Sequence, residues 1–150
     1  MESLFDPQGN QNIINRIERL TPLALSEWGK MTVSQMLLHC QLPINVALGT
    51  MHIKTHWVLS FLFARRAKKK LTSNNPFGKG SPTAKEFEIK HEPDFEKSKQ
   101  GLIELVSVFA KEGPSVIKAA KHPFFGEMTD QEWDTLQWKH LDHHLKQFGV

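Results

Sequence analysis

Ile13, Ile14, Ile17 and Leu20 recur three and four residues apart behind Asp6-Pro7, a capping residue followed by a proline that fits the first turn of a helix. The spacing predicts a helix over residues 7 to 20, closed by Pro22. A second helix begins at Thr32, where Gln35 completes a capping box and Met31 and Met36 take the positions of a hydrophobic staple. Its apolar stripe runs through Val33, Met36, Leu37, Cys40, Ile44, Ala47 and Leu48 to Gly49. Pro43 has no N–H for the carbonyl of His39, so a bend or a free carbonyl is expected there. Trp57, Val58, Phe61 and Leu62 suggest an accessory helix over roughly residues 54 to 69 that runs into the basic stretch Arg65 to Lys70.

From Thr72 to Pro93 the chain turns to Gly, Pro, Ser, Asn and Lys, with one short extended piece expected at Phe87 and Ile89. Loops of this length in compact domains commonly serve as lids or walls of a site, or as disordered arms. Asp94 caps a further helix with the face Leu102, Leu105, Val106 and Phe109, stopped by Gly113-Pro114. The last helix starts with a second capping box, Thr129 to Glu132, has Met128 and Trp133 as its staple, and reaches Gly149. Four principal amphipathic helices, one accessory helix and no strand pairs predict an all-α, single-domain bundle over residues 1–150, and the long connection before the third helix favours a crossover.

A chain of 150 residues is the size of one domain, and four Trp and ten Phe supply the large apolar units for its core. A net charge of +3 is too slight to indicate nucleic acid. Cys40 is the only cysteine and has no internal disulfide partner, and there is neither a secretion signal nor a membrane-length apolar run, so a soluble, cytoplasmic protein is expected.

The candidate chemistry lies in the histidines, eight in all. On the last helix Trp138, Leu141, Leu145 and Phe148 mark the buried face. At about 100° per residue His144 falls roughly 60° from Leu141, and His140 about 40° further round. His143 falls about 160° away, which reads as solvated or as an outer partner of a rotated site. His39 holds the matching flank of the second helix. Neutral imidazoles one turn apart can share a divalent ion, and three protein nitrogens would leave open positions of the kind catalytic sites keep. The competing reading is a polar helix edge and a satisfied core histidine.

His122, in the run HPFFG at 122–126, reads first as a structural hydrogen bonder and second as a substrate contact. Nothing is assigned to His52, His56 or His91. Cys40 sits mid-stripe, where a small buried thiol explains it better than a nucleophile. The Arg65 to Lys70 run reads as a solvated helix end, favoured by the helix dipole.

Three blocks carry a family resemblance: Trp28 through His39 and Cys40, the HPFFG loop, and the ending WKHLDHHLKQFG from Trp138 to Gly149. Together they resemble an uncharacterised branch of the DinB-like superfamily over nearly the whole chain. That resemblance implies a four-helix bundle in which one histidine of the second helix and an H-x-x-x-H pair of the last bind a divalent metal, usually zinc or nickel. The matching positions are His39, His140 and His144. Better-known relatives include thiol-dependent transferases and isomerases, which implies a small-molecule substrate and a low-molecular-weight thiol among the candidates. The commoner ending H-x-x-H-H-R-G-Q departs here to Leu145-Lys146-Gln147, so contacts of that arginine and glycine do not carry over. Two functions remain in competition: a small metalloenzyme with the Thr72 to Pro93 loop as lid or substrate wall, and a non-enzymatic metal-binding or interaction module. Neither requires nucleic acid or a membrane, and a homodimer is left open.

Overall fold

The computed structural model describes residues 2–54, 68–70, 72–73, 75–81 and 83–150. Among these residues four long helices are formed: α1 over Pro7–Glu18, α2 over Val33–Ala47, α3 over Phe95–Glu112 and α4 over Asp130–Gln147. Each starts where the sequence places a cap. Asp6, Thr32, Asp94 and Thr129 all accept a backbone N–H of the first turn, and both capping boxes close reciprocally. No strand occurs among the described residues, only an isolated bridge between His122 and Gly126. The protein is mainly helical, and no helix among the described residues is long and apolar enough to cross a membrane.

Packing follows the apolar stripes. α2 lies against α3 and α4, and α1 lies against the same two helices. Ile13, Ile17, Met36, Leu37, Ile44, Leu102, Val106, Phe109, Leu141 and Leu145 form one continuous buried cluster drawn from all four. At about 1.5–3 kcal/mol for each large side chain taken out of water, this shared core is the main force holding the helices together.

Buried polar side chains fix the helices in register. The Asn10 side-chain amide donates to the carbonyls of Leu4 (2.8 Å) and Val106 (2.7 Å), joining the N-terminal segment and α1 to α3. Asp134 on α4 accepts the Leu4 N–H at 2.7 Å, which seats the Leu4 side chain fully in the core. Gln137 donates to the carbonyl of Pro43 at 3.2 Å, so α2 and α4 are linked beside the proline, and the helix continues through it.

Three expectations change. α1 ends at Glu18, two residues early: Pro22 has no N–H to give the Glu18 carbonyl, and Lys99 of α3 donates to the carbonyls of Glu18 (2.8 Å) and Leu20 (2.9 Å) instead. The piece at Phe87 is a single 3-10 turn, Lys85–Phe87, with no partner strand among the described residues to pair with. The accessory helix lies mostly outside the described residues, with His56, Trp57, Arg65 and Arg66. Its described end, Lys68 to Lys70, is helical. There Lys68 is not merely solvated: it pairs with Glu132 at 2.8 Å and donates to the Glu127 carbonyl at 2.6 Å.

The N-terminal segment crosses α1 at Gly9, where an added methyl would overlap the Ser3 carbonyl. At Gly101 the same methyl would meet only the movable end of the Gln41 side chain, at 3.2 Å. Gly9→Ala should therefore cost about 1–3 kcal/mol in urea unfolding, whereas Gly101→Ala should be neutral or stabilising by up to about 1 kcal/mol. Equal effects at the two positions would contradict this packing.

Candidate metal centre

His39 projects from the middle of α2, and His140 and His144 project one turn apart from α4. The packing of α2 on α4 brings the three rings together, although His39 and His140 are 101 residues apart in sequence. Ring centroids lie 4.9 Å apart for His39 and His140, 4.8 Å for His39 and His144, and 4.6 Å for His140 and His144. One nitrogen from each can be chosen so that all three lie within 4.8 Å of one another. His39 and His144 are buried and His140 is half-buried.

Outer hydrogen bonds decide which nitrogens carry protons. The His39 Nδ1 stands 2.9 Å from the carbonyl oxygen of Phe87, which can only accept, so Nδ1 bears the hydrogen and Nε2 keeps its lone pair. The His144 Nδ1 stands 2.8 Å from Gln147 Oε1. The direction of that amide is fixed at its other end, because its Nε2 donates to the carbonyl of Trp28. His144 therefore also donates from Nδ1 and keeps the Nε2 lone pair. His140 Nε2 lies 3.0 Å from His39 Nε2, and its buried Nδ1 has no hydrogen-bond partner among the described residues.

This donor set fits a divalent cation. A metal-bound histidine almost always donates its other N–H to a carbonyl or carboxylate, and two of the three rings already do so. Nitrogens sharing one ion at about 2.0–2.1 Å stand roughly 3 Å or slightly more apart, which the His39–His140 contact matches. Burial holds all three rings in the neutral form a ligand must have. The pKa of His39 is lowered by burial against a smaller opposing effect of the Phe87 carbonyl. That of His140 is pushed well down by burial and then by its histidine neighbours, and that of His144 falls to about 3 for the same reasons.

The surroundings place the remaining candidates. His143 is half-buried rather than solvated, because Trp28 and the 72–93 loop cover the face the helical wheel leaves open. Its ring lies 5.7 Å from Trp28, 5.9 Å from Phe77 and 5.1 Å from His144. His91 is exposed and offers only its carbonyl, to Gln35, and His52 is exposed too. Cys40 is buried beside Met36, and burial pushes its thiol pKa far up, away from nucleophile chemistry.

His122 is a buried structural group. Its Nδ1 accepts the Phe124 N–H at 3.1 Å, and its ring stacks on Phe125 at 4.3 Å and lies 5.0 Å from Trp133. Phe124 in turn meets Phe87 edge-on at 6.3 Å, so the HPFFG loop backs the turn whose carbonyl holds His39. Sequence reasoning did not find Phe87, Gln147 or Trp28 as supports of the site. Only Gln147, three residues after His144 on the same helix, left a readable spacing.

Burial lowers the His122 pKa to about 4, so the folded protein keeps this ring neutral after the unfolded chain, near 6.5, has taken up its proton. Stability is then fully present above pH 6.5 and lost as pH falls toward 4, by about 3 kcal/mol from this residue. His122→Asn, which retains an acceptor for the Phe124 N–H, should flatten that acid limb in urea unfolding at a series of pH values. An unchanged limb would show that His122 is protonated or exposed in the folded protein.

No curated protein and no solved structure matches the chain. One family model does, over residues 3–149, described as a protein of unknown function, DUF1569. A match of that extent covers both helices that carry the histidines, the loop that supports His39 and the Gln147 that orients His144, and the chain belongs to the DUF1569 family.

Proposed function

We propose that the protein is a metal-dependent enzyme of DinB-like, four-helix-bundle type that holds one divalent ion, zinc or nickel, on His39, His140 and His144. The carrying observation is the pair of opposed Nδ1–H donations, to the Phe87 carbonyl and to the Gln147 amide, which leave two Nε2 lone pairs converging beside His140. Three neutral protein ligands leave room on the ion, which when bound supplies Lewis-acid chemistry to a water or a thiol.

The residues of the chain do the rest. Phe87 and Gln147 orient two of the rings, and His140 completes the set from the same helix face as His144. The Phe87 ring lies edge-on to His39 at 6.5 Å and is backed by Phe124, and this apolar surface limits water on that side. The substrate class is a small molecule, with a low-molecular-weight thiol as a co-substrate candidate. A non-enzymatic role, in which the ion only ties α2 to α4, accounts for the histidines but leaves the cavity beside His143 without a use.

Metal content per chain, measured on untagged protein after desalting, should fall to background in His140→Ala and His144→Ala and stay near wild type in His143→Ala. Adding zinc or nickel to stripped wild-type protein should raise its melting temperature, and His39→Ala should lose most of that rise while remaining helical by circular dichroism. A folded His39→Ala variant with the full shift would remove His39 from the ligand set. A screen of the loaded protein for thiol transfer tests the reaction class.

Gln147→Ala should weaken metal affinity by roughly 10- to 100-fold without abolishing binding, since it removes an orienting partner and not a ligand. Competition against a chromophoric chelator measures this, and an unchanged affinity would show that the amide does not orient His144.

A further inference from the structure

Beside His143 lies a cavity of about 540 Å³. None of the three clustered histidines lines it, but His143 does, and the His143 ring lies 5.1 Å from that of His144. Three aromatic rings, Trp28, Phe77 and Trp138, form most of its apolar wall. Three ammonium groups also reach it: Lys79, Lys139 and Lys146. The one carboxylate in the lining, Asp142, is already bound by Arg16 at 2.9 Å and by Lys146 at 2.8 Å, so the field inside is positive.

Two of the cations are held against rings, and Lys139 also donates to the carbonyls of Ser73 (2.8 Å) and Lys70 (3.4 Å), which leaves its charge in place. Lys79 Nζ stands 4.2 Å above the centre of Trp28, and Lys139 Nζ stands 4.7 Å from that of Phe77. A molecule that fills the space between the rings must be flat and apolar over most of its body, and one that matches the field must be an anion.

We infer that this cavity binds a small aromatic carboxylate, or a planar organic anion of the same kind, with its ring among Trp28, Phe77 and Trp138 and its charge toward the lysines. That it is the substrate subsite of the histidine cluster, with His143 as the shared wall, rests on the metalloenzyme reading above. The binding itself does not.

Calorimetric titration of metal-free full-length protein with naphthoate tests the binding, with naphthylmethanol as a neutral molecule of the same shape. Naphthoate should bind one molecule per chain, and naphthylmethanol roughly tenfold more weakly or worse. Lys79 is exposed on a loop, so Lys79→Glu leaves the fold intact and should weaken naphthoate by roughly tenfold with little effect on the alcohol. Phe77→Ser should weaken both. His39→Ala should bind naphthoate like wild type, so a failure of the metal site leaves the cavity result standing. Absence of naphthoate binding, equal affinity for acid and alcohol, or indifference to both Lys79→Glu and Phe77→Ser would each overturn the inference.

Discussion

Carbonyl oxygens accept hydrogen bonds and cannot donate them, and this constraint governs the histidine cluster. The Phe87 carbonyl places the proton of His39 on its outer nitrogen, and the Trp28 carbonyl does the same for His144 at one remove, through the Gln147 amide. Burial then keeps both rings neutral. The inner nitrogens are left with lone pairs in a largely buried space, and that of His39 lies 3.0 Å from His140 Nε2, close enough to accept its hydrogen. The fold serves that arrangement: α2 and α4 must be neighbours, the 72–93 loop must return over α2, and the connection before α2 must touch the end of α4.

Much of this was legible in the sequence because it depends on local spacing. The caps at Asp6, Thr32, Asp94 and Thr129 are short-range chemistry, and all four helices begin where they predict. The helical wheel likewise separates His140 and His144 from His143, and places His39 on the flank that meets them. The wheel cannot say what covers a helix from outside, and this is why His143 read as solvated. Trp28 and Phe77 lie far from it in sequence and reach it only through tertiary packing. Phe87 was misread as extended because alternating apolar residues look the same in a strand and in a turn that inserts one ring. What distinguishes the two is a partner strand, and none is present among the described residues.

The HPFFG loop shows how a recognisable motif can serve a site without entering it. His122 spends its acceptor on the Phe124 amide and its ring faces on Phe125 and Trp133, which leaves no nitrogen lone pair for a ligand. Its position still matters to the cluster, since Phe124 and Phe87 are in edge contact and Phe87 carries the carbonyl that orients His39.

Gly29 stands in an exposed turn with φ of +83°, a conformation open to glycine at little cost. Any side chain there would run into the Gln147 amide nitrogen, and the amide could yield only by letting go of the Trp28 carbonyl and of His144. Residue 29 is thus held to one identity by a cluster it never touches. In a map of mutational tolerance this exposed position would stand out as intolerant, and the cause of that intolerance would lie at the opposite end of the chain.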